Sequence, residues 1–333
     1  MRGVLRKAGV AALLVVWGSA WAAEKPSPEW ARKDIKAGMV GLDTSHAVAF
    51  AGVFKRHPEW RVKIVAAFPE ASKDMPKASA ARCPNYTERL RKDGVKIVAS
   101  MDELLKLVDA VLIESVDGRP HLRQARPAFK AGKPVFIDKP FTAGLADARE
   151  ILKLSKETGV PFLSSSCVRF QPEIARFRTD PVVGKLTKAQ GSSPMHTEPH
   201  HPDLFWYGIH GVEALYTVMG RGCLSVQRKA EPALDITTGK WKDGRIGVFR
   251  GVRKGSYRPL VKVWGTKGEA ESKGGYNYNG LCEAIAKFFH TRQAPIDPLE
   301  TLEIIEFMTA AQLSKERGGA EVTLDEVRGT RPK

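Results

Sequence analysis

Four of the eight histidines fall in one short stretch, as His196, His200, His201 and His210, with Asp203 and Glu213 interspersed. Imidazoles and carboxylates are borderline ligands that suit zinc or manganese, so His196, His200, His201 and Asp203 form a candidate metal set, although their spacing fits no compact motif. A metal there could polarise a sugar carbonyl or activate water, the chemistry of a hydrolase, lyase or isomerase. The same stretch carries Trp206 and Tyr207, an aromatic face able to stack on carbohydrate. Glu213 follows His210 by three residues, about one helical turn, where it could orient or charge-balance the imidazole. Far from this stretch, Lys139 ends the apolar run from Pro134 to Asp138 and precedes Pro140, which restricts its direction.

These side chains need a frame, and the first half of the chain supplies a repeating one. The apolar segments at 35–42, 62–67, 95–99, 109–114, 134–138 and 161–165 read as strands. Helical stretches from Thr44-Ser45 through Phe54, near 87–92, and at 102–107, 122–130 and 145–157 separate them. Such alternation predicts a doubly wound parallel sheet with helices on both faces, and ligands of such sheets bind at the carboxyl ends of the strands, where Lys139 falls. After residue 165 the pattern changes. Segments 185–190, 245–252 and 260–264 alternate enough for an open, mostly antiparallel sheet, and helices at 281–290 and 299–315 should pack back onto the body. The expected organisation is an α/β domain over 33–165 and an α+β domain over 166–325.

Residues 1–22 read as a secretory signal peptide: Arg2, Arg6 and Lys7, an apolar core from Ala8 to Val16, then Ala20-Trp21-Ala22. The core breaks at Gly18-Ser19, too early for a membrane span, so the expectation is an exported, soluble, periplasmic or extracellular protein with no membrane insertion after signal removal. Losing the leader takes 53 basic residues to 50 against 37 acidic, a net charge of +13. The cations are dispersed and not interleaved with aromatics, which argues against nucleic acid as a partner. Cys83, Cys167, Cys223 and Cys282 lack metal spacing, and could be free or paired in three ways.

Three blocks resemble the Gfo/Idh/MocA oxidoreductases. The first runs from Val108 to Ile113, through His121, to Ala131 to Pro140, and is similar to the family's strand, histidine and E-K-P sequence. Gly208 to Glu213 resembles its active-site helix. Phe288-Phe289, Pro295 and Glu300 to Gly319 resemble its terminal helix pair and strand. The resemblance implies a Rossmann-like domain for NAD or NADP, a second domain presenting a sugar or polyol, and hydride transfer with Lys139 and His210 handling the proton. It also implies cofactor-side roles for Gly41, Thr44, Ser45, His46, Glu70, Glu114 and His121. Substrate contacts would come from Trp206, Tyr207, His201 and Arg169, the last of which could equally form a structural ion pair. Relatives often associate through their open sheets, so a homo-oligomer is expected.

The turn after the first strand departs from G-x-G-x-x-G, with Asp43 and His46 at its second and third positions and Phe68 where an acid usually grips the ribose. Asp138 shortens the acid of E-K-P, and Trp206 stands where many relatives have aspartate. Export adds a constraint, because a chain threaded unfolded across a membrane carries no cofactor with it. Three readings follow: an oxidoreductase that captures its dinucleotide after export, a metal-assisted hydrolase, lyase or isomerase, and a non-catalytic carbohydrate binder.

Overall fold

The protein's structure is a computed structural model describing residues 25–254, 260–273 and 277–329. The leader at 1–22 lies outside them. The first domain runs β1 (Ile35–Val40), α1 (Ser45–Arg56), β2 (Val62–Phe68), α2 (Cys83–Lys92), β3 (Lys96–Ile97), α3 (Met101–Leu107), β4 (Ala110–Ile113), α4 (His121–Lys130), β5 (Val135–Ile137), α5 (Leu145–Thr158) and β6 (Phe162–Ser164). Its six strands are all parallel, in the order β3-β2-β1-β4-β5-β6. Every residue of β4 and β5 is buried, as expected of central strands covered on both faces. The neighbours β1 and β4 are not consecutive, so their carboxyl ends flank the switch point of the sheet, where such folds keep a ligand crevice.

Local chemistry sets the helix starts. Thr44 caps α1 by accepting from His46 N, and Ser100 caps α3 by accepting from Glu103 N while Glu103 accepts from Ala99 N. The helix expected from Thr87 begins at Cys83, because Pro84 occupies its first turn, where a missing N–H costs nothing.

The second domain runs α6 (Pro172–Ala175), β7 (Leu186–Pro194), α7 (Ile209–Met219), β8 (Cys223–Ala230), β9 (Leu234–Trp241), β10 (Ile246–Val252), β11 (Leu260–Gly265), β12 (Gly268–Glu271), α8 (Asn279–Thr291), α9 (Pro298–Glu316), β13 (Val322–Thr323) and α10 (Leu324–Arg328). Its sheet has the order β12-β11-β7-β10-β9-β8-β13 and is antiparallel except where β10 pairs with β7. One face is covered by α7 and α9. At Gly191 a Cβ would meet the Gly211 carbonyl at 2.3 Å, so glycine lets α7 settle directly on β7. From the C-terminal half, α8 inserts Leu281, Ile285, Phe288 and Phe289 into the core beneath α1. All four cysteines are buried and free. Among the described residues, no helix is long and apolar enough to cross a membrane.

One buried ion network sets the approach to α7. Arg228, its side chain fully buried, grips Asp235 through Nε and Nη2 at 2.8 and 2.7 Å, and its Nη2 also reaches Asp203 at 3.0 Å. Arg253 and Lys315 join Asp203 as well. Asp203 immediately precedes the wide turn Leu204–Gly208 that leads into α7. Arg228→Met would leave Asp235 buried with only Arg253 as a charged partner, so urea unfolding should show a loss of about 3–5 kcal/mol. Wild-type stability in this variant would refute the anchoring role.

Candidate active site

The carboxyl end of β5 delivers Asp138 and Lys139 to the upper edge of the first sheet. Lys139 is 6% exposed, and its Nζ sits 5.2 Å above the ring of Tyr207, which comes from the turn before α7. The Tyr207 ring also meets His210 at 5.8 Å and His196 at 5.2 Å, both edge-on. An amine and two imidazoles from separate parts of the chain therefore share one aromatic neighbour. Ser166 Oγ lies 2.7 Å from His210 Nδ1 and accepts from Val168 N at 3.4 Å. In the Nε2-protonated tautomer the Ser166 hydroxyl donates to Nδ1, and the His210 Nε2 hydrogen is available to another group. Burial, and then the charges of Lys139 and His46, hold the His210 pKa well below its usual value, so the ring is neutral near pH 7.

Next to Lys139 lies an unusual concentration of buried acid. Asp43, Glu114 and Asp138 stand at the carboxyl ends of β1, β4 and β5, each 0–1% exposed. Asp43 accepts from Val116 N at 2.8 Å and from Ser79 Oγ at 2.5 Å; burial nevertheless pushes its carboxyl up to about 6. Asp138 Oδ2 is 2.6 Å from His46 Nδ1; burial alone would raise its carboxyl, but the charge and hydrogen bond of His46 hold it below the usual range. Glu114 has no hydrogen-bond partner on either oxygen among the described residues, and burial followed by repulsion from Asp138 raises its carboxyl well above the usual value, against the opposing pull of Lys139.

Other expected site residues are engaged elsewhere. Glu213 does not face His210; it is paired with Arg169 Nε at 3.5 Å and accepts from Ser165. Arg169 makes the ion-pair alternative real, since its Nη2 also grips Glu300, while its buried Nη1 has no hydrogen-bond partner among the described residues. His201, placed on substrate by the sequence, has a fully buried side chain whose Nε2 lies 3.1 Å from Asp117 and 3.2 Å from Gly118 N. Trp206 does not present a stacking face but packs at 7% exposure with Met75 and Val116. His121 is wholly buried, its nitrogens against the carbonyls of Phe141 and Ser115, and so ties two loops together without facing a cofactor. The metal set is not assembled: Asp203 is held by Arg228, Arg253 and Lys315, His196 by Tyr207, and His200 by Glu198 and Asp74.

Sequence reasoning missed Ser166, Ser79 and Asp117. Burial would raise the Asp117 carboxyl, but hydrogen bonds from His201, Arg119 and Ser72 hold it far below its usual range. The run Ser164-Ser165-Ser166 was the one visible signal for Ser166.

The parts that could hold a dinucleotide are present at the switch point. Gly41 adopts φ +79°, and a Cβ there would meet Ser115 N at 2.6 Å, so the chain passes β4 as closely as a glycine turn allows. Thr44 and Ser45 open α1, and Glu70, paired with Arg123, lies just beyond β2. Asp43 is turned into the protein, where it accepts from Val116 N and Ser79 Oγ. The segment carrying Met75 and Ser79 is bonded to the turn through Ser79 Oγ and Asp43.

Residues 35–165 match the GFO_IDH_MocA family, described as an oxidoreductase family with an NAD-binding Rossmann fold. Among curated proteins, the chain is 31% identical over 93 residues to an uncharacterized oxidoreductase of Streptococcus pneumoniae, a match covering 26% of this chain and 24% of that one. It is 25% identical over 156 residues to the uncharacterized oxidoreductase YhhX of Escherichia coli, covering 41% and 45% respectively. The chain thus spans less than half the length of either relative. A probable dehydrogenase from Thermotoga maritima superposes with a TM-score of 0.73 at 19% identity, over 88% of this chain and 100% of that one. A scyllo-inositol dehydrogenase from Lactobacillus casei, solved with NAD(H) and scyllo-inositol, gives 0.71 at 16% identity, over 87% and 99%. What this chain shares with the two solved structures is the two-domain fold, and its first domain carries the family's sequence pattern as well.

Burial pushes Glu213 up to about 7 despite Arg169. A carboxyl whose folded pKa exceeds its unfolded value favours folding while protonated, so this contribution is lost as pH rises from about 4.5 to 7. Thermal unfolding across that range should show wild-type protein losing stability relative to Glu213→Gln. Parallel curves for the two proteins would refute the assignment.

Proposed function

We propose that this chain, Gfo/Idh/MocA-like in the sequence of its first domain and in its two-domain fold, is an NAD(P)-dependent oxidoreductase acting on a hydroxyl of a sugar or polyol. The observation carrying this reading is the convergence of Lys139 and His210 on Tyr207, beside the carboxyl ends of the parallel strands. NAD or NADP, when bound, supplies the hydride acceptor, with Gly41, the amino end of α1 at Thr44 and Ser45, and Glu70 as the residues that would hold it. A carbon that loses hydride must also lose its hydroxyl proton, and Lys139 Nζ is the group positioned to take it. His210, neutral and fixed by Ser166, donates from Nε2 to a substrate oxygen and so orients the reacting carbon. The partly exposed Tyr207 ring would give the sugar an apolar contact.

The leader at 1–22 supports export, and we infer that the mature chain begins after Ala22 outside the cytoplasm; N-terminal sequencing that finds an intact Met1 on exported protein would overturn this. The alternately half-exposed face of β9 and β10 is the surface through which copies would associate.

Lys139→Met should reduce sugar- or polyol-dependent NAD(P)⁺ reduction by about 100-fold or more, the usual scale for losing a general base, with an unchanged melting temperature. Undiminished turnover would exclude the lysine from the reaction.

A further inference from the structure

We propose that His46, Glu114 and Asp138 bind one divalent transition metal ion, Mn²⁺ or Zn²⁺, beneath the ligand crevice. Each offers a ligand atom, and the three atoms lie within 4.8 Å of one another. They come from three elements brought together at the strand ends: the first turn of α1 and the residues immediately after β4 and β5. The donor set of one imidazole and two carboxylates suits these ions.

The independent sign of a missing partner is Glu114. It is 0% exposed, and among the described residues neither oxygen has a hydrogen-bond partner; Asp138 Oδ1, 1% exposed, is likewise unpartnered among them. An ionised Glu114 leaves an uncompensated charge in the interior, and a protonated one leaves an O–H donor with nothing to accept it, so either form is costly without a further group. The nearest basic side chains do not fill this need. Lys139 Nζ lies over Tyr207 and makes no ion pair within 4.0 Å among the described residues, and His46 Nδ1 is taken by Asp138. Tetrahedral bonds of about 2.0–2.2 Å hold ligand atoms roughly 3.4 Å apart, so binding requires the widest pair to close by about an ångström while the His46 to Asp138 contact opens. Bound there, it would offset acid that otherwise opposes a phosphate at the switch point. The metal site stands independently of the hydride-transfer reading.

The test is metal binding by the full mature protein after chelator treatment, with MnCl₂ and ZnCl₂ in separate arms, read by elemental analysis after desalting and by thermal unfolding. Wild-type protein should retain one ion per chain and melt higher with it. Glu114→Gln and Asp138→Asn should each bind at least about 100-fold more weakly. Metal-free Glu114→Gln should melt no lower than metal-free wild type, which separates a lost site from a lost fold. Lys139→Met should keep the ion even if it loses turnover, so failure of the redox reading leaves this test intact. His200→Ala, removing the surface group beside Glu198 and Asp74, should also keep it. The proposal is overturned if wild-type protein retains no ion, as it would were the space filled by water or a proton, if Glu114→Gln binds as tightly as wild type, or if His200→Ala abolishes binding.

Discussion

Buried carboxyl groups at the carboxyl ends of β1, β4 and β5 are the constraint from which the site's architecture follows. Asp43, Glu114 and Asp138 are withdrawn from water at neighbouring strand ends, and each needs compensation there. Asp43 finds it in the Val116 amide and the Ser79 hydroxyl, which fastens the segment after β2 across the switch point. Asp138 finds it in His46, which turns the third position of the glycine-type turn inward. Glu114 finds none among the described residues. The residues that depart from a standard dinucleotide turn are thus joined in one electrostatic arrangement, and Lys139 sits beside it.

The second domain completes the site by bringing Tyr207 and His210 to that edge. Its means are a buried ion network at Asp203, a glycine contact between α7 and β7, and Ser166 on the connection from β6. The domains are clasped where His201 meets Asp117, and where Met75 and Val116 pack on Trp206.

Much of the first domain was legible because fully buried strands write themselves as apolar runs. The order of those runs located Lys139 at a strand end, and His210 was visible in its helix. The second sheet was harder to read, and β9 shows why. Its inward positions are Asp235, Thr237, Gly239 and Trp241, while Ile236 lies on the half-exposed face, so hydrophobic alternation points the wrong way. The charge of Asp235 belongs to the buried Arg228 network, whose other members Asp203, Arg253 and Lys315 lie elsewhere in the chain. Glu213 misled for a similar reason: helical spacing put it near His210, but Arg169 and Glu300, far away in the chain, claim that region. The histidine-rich stretch looked like a ligand set because spacing cannot reveal that Asp203 already has three cationic partners. His46 looked like a defect in a phosphate turn, and only the fold brings Asp138 and Glu114 beside it.

Diffraction from crystals grown with MnCl₂, collected on both sides of the manganese absorption edge, tests the charge-compensation account most directly. It predicts one anomalous peak enclosed by His46, Glu114 and Asp138, with the His46 to Asp138 contact opened to admit the ion. An empty centre with that contact intact, or a peak only at the surface beside His200, Glu198 and Asp74, would contradict it.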